Sequence, residues 1–252
     1  MKFTILGCGT STGVPMVGCD CPVCTSDAPR DTRTRASLLM SYSDRTVLID
    51  TSTDLRMQAL RHKIRHIDAV LFTHAHADHV NGIDDLRGFH FLHKEIIPCF
   101  GSRETLAILQ RGFSYIFNEH EGSGYTPLLA AHEISTPFEL FGQTIIPIPL
   151  RHGKTASFGY RIGDFAYLTD CSAIPEQSLH LLQGLEVLVL DGLRWTEHPF
   201  HFNIPGAIAA ARLTQAPRTI LTHLTHEIAY AEENKLPPGF ELAYDGMEFD
   251  LR

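Results

Sequence analysis

Short apolar runs, each ended by a polar residue, recur along the chain at 3–6, 36–40, 46–49, 69–72, 145–148, 165–168, 187–190 and 219–221. Their lengths and β-branched content predict strands. Stretches at 53–62, 102–116 and 204–214 carry helical character instead, the last with Asn203 as its N-cap and Pro205 in its first turn. The strand signal of the first half returns in the same style in the second. That predicts two sheet halves packed face to face with helices outside. No repeat of 20 to 50 residues, low-complexity tract or Gly/Ser/Pro linker divides the sequence, so 1–252 reads as one domain. Residues 118–137 carry Gly122, Gly124, Pro127 and Pro137 with little periodicity, and read as a long surface insertion, either a lid or an ordinary connection.

Composition narrows the classes. With 44% hydrophobic and 20% charged residues the chain is globular, and no apolar run approaches the ~18 residues of a bilayer span. The N-terminal apolar tetrad is too short for a secretory signal, which makes a cytoplasmic location the expectation. A net charge of -8 argues against nucleic acid or an anionic membrane as partner, because such binding rests on clustered Lys and Arg. Fifteen histidines against five lysines point to metals or proton transfer. Three of the six cysteines crowd into Cys19, Cys21 and Cys24, and in a reducing compartment metal ligation is a better first expectation than a disulfide.

The chemistry concentrates after the run 69–72, in His74-Ala75-His76-Ala77-Asp78-His79. A loop leaving a strand can turn these four groups around one locus, His74 and His76 toward one cation, Asp78 and His79 toward a second. His152, Asp170 and His223 each lie just beyond a further apolar run, where loops gather functional residues on a rigid scaffold. Asp170 has two carboxylate oxygens and can bridge two cations, an arrangement suited to phosphoester hydrolysis. Imidazole and carboxylate accept manganese, zinc or iron. Three thiols in six residues can face one tetrahedral zinc; a reactive cluster or three buried thiols are the alternatives. Cys8, Cys99 and Cys171 are isolated and read as packing residues.

The series His74-x-His76-x-Asp78-His79, His152, Asp170, His223 resembles the ligand series of the metallo-β-lactamase-fold hydrolases, over almost the whole chain from the Leu6–Gly13 loop onward. The resemblance implies an α/β fold, a four-layer αββα sandwich with a dinuclear site on one edge. An Asp at 170 resembles the phosphodiesterase branch. Gly18-Cys19-Asp20-Cys21-Pro22-Val23-Cys24, Asp191-Gly192-Leu193-Arg194, His198-Pro199-Phe200-His201-Phe202 and Thr222-His223-Leu224-Thr225-His226 are similar to the PhnP group, the cyclic phosphodiesterases of the carbon-phosphorus lyase pathway.

The resemblance implies two divalent catalytic ions, manganese or zinc, with Asp78 counted among the catalytic residues as well as the ligands. It implies one structural zinc held by Cys19, Cys21, Cys24 and His226. It also favours His201, with His198 as the alternative, as the acid that protonates the leaving alkoxide. Arg194 and Lys154 are the cations expected to grip a second phosphate, with Arg151 nearby. The implied substrate is a small phosphodiester, 5-phosphoribosyl 1,2-cyclic phosphate opened to ribose 1,5-bisphosphate; no nucleic acid or membrane is expected as partner, and a homodimer is left open. The alternatives are a transfer-RNA 3' processing ribonuclease, whose RNA-gripping arm has no counterpart here, and a cofactor-handling protein like those of pyrroloquinoline-quinone biosynthesis.

Overall fold

Two mixed β-sheets stack face to face and helices cover the outer surface of each, which gives the four-layer αββα sandwich. The computed structural model describes residues 1–118 and 128–251. The first sheet takes β1 (Lys2–Gly7), β2 (Ser37–Tyr42), β3 (Arg45–Ile49), β4 (Ala69–Leu71), β5 (Ile97–Gly101) and β6 (Leu129–Glu133). The second takes β7 (Phe138–Leu140), β8 (Gln143–His152), β9 (Thr155–Ile162), β10 (Phe165–Leu168), β11 (Val187–Asp191), β12 (Arg218–Thr222) and β13 (Phe240–Leu242). The last strand, β14 (Met247–Asp250), returns to pair with β1. The helices are α1 (Leu55–Arg61), α2 (Ala77–Val80), α3 (Leu86–His93), α4 (Arg103–Gly112), α5 (Ser114–Phe117), α6 (Glu176–Leu179) and α7 (Ile204–Thr214).

Alternation along the strands makes the layers. Phe3, Ile5, Leu38, Met40, Val47 and Ile49 meet Tyr160, Ile162, Phe165, Tyr167, Val187 and Val189 between the sheets. Phe3 and Phe165 stack with ring centroids 3.9 Å apart. The intervening residues Leu6, Leu48 and Val70 face outward onto Leu55 of α1 and Leu106 and Leu109 of α4. On the other side Leu168, Leu188 and Leu190 face Ile204, Ala207 and Ala211 of α7. Burial on both faces explains why these strands read as unbroken apolar runs. Each fully buried large side chain contributes about 1.5–3 kcal/mol.

Strands β3 to β6 run parallel, as do β10 to β13. Their register aligns the exits: Ile49 pairs with Leu71 and Leu71 with Phe100 in one sheet, Leu168 with Leu190 and Asp191 with Thr222 in the other. Residues just past these positions therefore collect along one edge of the sandwich.

Several elements differ from the sequence expectation. The helix expected at 102–116 breaks at Phe113, whose φ of -124° and ψ of 41° are not helical, so α4 and α5 are separate. The helix expected from 53 starts at Leu55, after the N-cap Asp54, whose carboxylate is committed to Arg35 at 2.9 Å and caps no backbone N–H of the helix. β6 occupies part of the expected insertion 118–137, a strand that Leu-Ala-Ala-His-Glu hides for want of β-branched residues. Residues 119–127 of that insertion lie outside the described residues. At α7 the Asn203 side chain accepts from Gly206 N, as the sequence requires of an N-cap. Among the described residues no helix is long and apolar enough to cross a membrane.

Candidate metal centre

Both sheets deliver donors to the shared edge. The segment leaving β4 carries His74 and His76 and turns into α2, which holds Asp78 and His79. In the second sheet β8 ends on His152, Asp170 lies two residues past β10, and His223 follows β12. Asp170 and His223 have left-handed φ values of 49° and 61°, and so does Asp50 after β3, at 63°. Such a conformation costs a non-glycine residue on the order of 1–3 kcal/mol and persists only where surrounding structure enforces it.

Asp170 divides the donors into two sets. Its Oδ1 lies 3.0 Å from His79 Nε2 and 3.2 Å from His223 Nε2. Its Oδ2 lies 3.7 Å from His74 Nε2 and 3.8 Å from His152 Nε2. Asp78 Oδ2 joins the first set, 3.3 Å from His79 Nε2, and His76 Nδ1 joins the second, 3.3 Å from His152 Nε2. The seven residues thus form two groups of four that share Asp170, with the donor atoms of each group within 4.8 Å of one another.

This donor set fits a pair of divalent cations. Nitrogen and oxygen ligands at ~2.0–2.2 Å from one ion stand about 3–3.5 Å from each other, close to the spacing here. The buried Nε2 atoms of His74, His79 and His223 make no hydrogen bond, which is costly unless a cation takes their lone pairs. Burial pushes the His74 and His152 imidazoles down toward the neutral form that ligates, whereas at His79 and His223 burial is outweighed by the neighbouring carboxylates, Asp170 first, which hold both imidazoles above their ordinary value. Burial alone would raise Asp170, but His223 and His79 outweigh it and hold the carboxyl well below its ordinary range.

An outer layer aims the donors. Asp50 is fully buried; it accepts from Thr73 N at 2.8 Å and Thr73 Oγ1 at 2.7 Å, and its Oδ2 lies 2.7 Å from His79 Nδ1. His152 Nδ1 pairs with the Phe200 carbonyl at 2.8 Å. Each pairing places the proton on Nδ1 and leaves Nε2 for the centre. Sequence reasoning passed over Asp50, although it follows the 46–49 run just as Asp170 follows its own.

Five of the seven donors, His76, Asp78, His152, Asp170 and His223, line a cavity of about 500 Å³ together with Ser11, Lys154, Thr155, Phe200 and His201. His201 stacks on His223 with centroids 4.7 Å apart, and its Nδ1 lies 2.7 Å from Oδ2 of the fully buried Asp191. That leaves Nε2 as the nitrogen free for the cavity. His198 does not line it and instead accepts from Phe200 N at 3.3 Å. Thr10 and Thr12 do not line it either; of that loop only Ser11 does. The Arg194 guanidinium is tied to Glu227 and to the Glu197 carbonyl, both at 3.0 Å, and is not among the residues that line this cavity, whereas Lys154 is.

Away from this centre, Cys19, Cys21, Cys24 and His226 bring their donors within 4.8 Å of one another. Cys19 Sγ and Cys21 Sγ each lie 3.3 Å from His226 Nδ1, near the ~3.5 Å edge of a tetrahedral zinc site with sulfur and nitrogen ligands. The Cys24 backbone N–H and then His226 lower the Cys21 thiol to about 6, a thiolate at neutral pH. Cys8, Cys99 and Cys171 are buried in the cores.

Residues 45–224 match the family model described as the Beta-lactamase superfamily domain. The chain is 39% identical over 254 residues to an octanoyltransferase of Porphyromonas gingivalis; the match covers 98% of this chain but 51% of that protein. It is 30% identical over 308 residues to Coenzyme PQQ synthesis protein B of Methylobacterium nodulans, covering the whole of both. Among solved structures, a diphosphatase from the PhnP family superposes with a TM-score of 0.93 at 40% identity, covering 100% of this chain and 98% of that one.

Proposed function

The chain belongs to the beta-lactamase superfamily, and from that premise we propose that it is a metal-dependent hydrolase of small phosphodiesters. The observation that carries the reading is Asp170, whose two oxygens face two donor sets. In this reading His74, His76, His152 and Asp170 hold one cation, and Asp78, His79, His223 and Asp170 the other. Bound there, divalent cations supply Lewis acidity, lowering the pKa of water and neutralising charge on phosphoryl oxygens. His201 supplies the proton to the departing alkoxide from Nε2, and Asp191 holds the ring in the orientation that this needs. Lys154 meets a second anionic group on the substrate. Cys19, Cys21, Cys24 and His226 hold a structural zinc that pins the N-terminal excursion to the C-terminal region.

A phosphoanhydride substrate is the second reading, supported by the name of the PhnP-family diphosphatase, which shares 40% identity over nearly the whole chain. The octanoyltransferase name describes a protein of which this chain spans about half, and the acyl-transfer activity is not carried over. A net charge of -8 disfavours a precursor transfer RNA. The test is hydrolysis by the metal-loaded protein of bis-aryl, 2',3'-cyclic and 5-phosphoribosyl 1,2-cyclic phosphodiesters, a dinucleoside diphosphate and a precursor transfer RNA. Turnover of small diesters is expected, with Lys154→Ala raising KM only where a second phosphate is present. Efficient processing of the RNA alone, or no turnover of any diester, contradicts the proposal.

A further inference from the structure

A second cavity, of about 400 Å³, adjoins the metal centre on the His74 and His76 side and shares His76 and Thr155 with the first. Its walls come from the segment 73–76 after β4, the N-terminal half of α4 and the start of β9. Ala75, Ile108, Ala156 and Phe158 give it an apolar lining, and Ile108 is 46% exposed at its edge. Four of the five hydroxyls on its walls already donate elsewhere: Thr73 to Asp50, Ser102 to Thr105, Thr155 to the His152 carbonyl and Ser157 to the Asp170 carbonyl. Among the described residues no Lys or Arg lines it, and the Glu104 carboxylate is exposed there. A phosphate in this cavity would meet Glu104 and find no Lys or Arg. An uncharged ring would leave water without stranding any of these four donors.

We propose that the physiological substrate is a phosphodiester carrying an uncharged planar ring, a nucleobase or aryl group, that fills this cavity. The inference rests on the hydrolase reading above and names its substrate class. His201 lines only the first cavity, so the leaving oxygen faces His201 and the ring belongs to the substituent that is retained on phosphorus. A doubly phosphorylated sugar without a ring of this kind leaves the apolar walls uncovered.

The test uses the metal-loaded full chain and two 4-nitrophenyl phosphodiesters with the same leaving group, one bearing thymidine and the other methyl, alongside 5-phosphoribosyl 1,2-cyclic phosphate. The thymidine ester should exceed the methyl ester in kcat/KM by about tenfold or more, the effect of ~60 Å² of apolar surface leaving water. Ile108→Asp, on the exposed face of α4, and Ala156→Trp, which fills the cavity, should each collapse that ratio. Equal rates for the two esters, a ratio that both variants keep, or a preference for the sugar bisphosphate precursor would overturn the ring. Failure to hydrolyse any diester would overturn the hydrolase reading itself, and this inference with it.

Discussion

Replacing Asp50 with Asn is the sharpest probe of how the protein prepares its donors. The carboxylate is fully buried and its partners are two donors from Thr73 and the His79 Nδ1–H. An Asn of the same shape must turn its NH₂ toward one of them. If it faces Thr73, two N–H groups collide and a buried donor goes unpaired, at about 1–3 kcal/mol. If it faces His79, the imidazole must accept at Nδ1 and carry its proton on Nε2, the atom 3.0 Å from Asp170 and aimed at the centre. Either outcome weakens the set formed by Asp78, His79, His223 and Asp170 directly, while the set around His74, His76 and His152 feels it only at one remove, through Thr73, whose Oγ1 lies 3.0 Å from His74 Nδ1. Removing an outer partner of this kind costs about 10–100-fold in metal affinity. Chelator competition with elemental analysis should show one of the two catalytic equivalents leaving first and that much more readily. Unchanged affinity for both, with only a lower Tm, would refute the orienting role.

Cys21→Ser should remove about one zinc equivalent and lower the Tm, with the turnover per folded molecule retained; parallel loss of the catalytic ions would contradict a separate site. His201→Ala should slow alkyl and sugar esters by about 10²–10⁴ while sparing nitrophenyl esters, whose leaving group needs little protonation, with metal content constant. A uniform loss across both ester classes would move His201 to binding. Asp68 accepts from Arg45 and from Thr46 N, both at 2.7 Å; burial raises its pKa, but these partners outweigh it and hold the carboxyl below its ordinary value. A depressed folded pKa stabilises above the unfolded value and loses that stabilisation as pH falls. The Tm deficit of Asp68→Asn should therefore be present at pH 7 and shrink below about pH 4; a deficit independent of pH would contradict it.

Much of the site was legible because one physical habit repeats: an apolar strand ends, and the polar residue after it faces the shared edge. That habit picked out the His74 to His79 block, Asp170 and His223. Applied consistently it also marks Asp50 after 46–49 and Asp191 after 187–190, whose partners His79 and His201 lie 29 and 10 residues further on. The strand β5 was hidden by Pro98 and Gly101, which suppress a strand signal that its burial between β4 and β6 sustains. Arg194 is a different case. Its place beside Asp191 is local, but its ion pair with Glu227 joins segments 33 residues apart, and nothing in the local pattern reports it. The same holds for the second cavity, which the segment after β4, α4 and β9 build only in three dimensions.

The central claim is that Asp170 joins two cation positions. Crystals of protein purified without added metal, measured by anomalous diffraction across the absorption edges of zinc, manganese and iron, test it directly. The account predicts two peaks ~3.5–4 Å apart, one beside each Asp170 oxygen, and a third peak, of zinc, among Cys19, Cys21, Cys24 and His226. A single peak beside Asp170 in fully loaded protein, or peaks at the cysteine cluster alone, would contradict it.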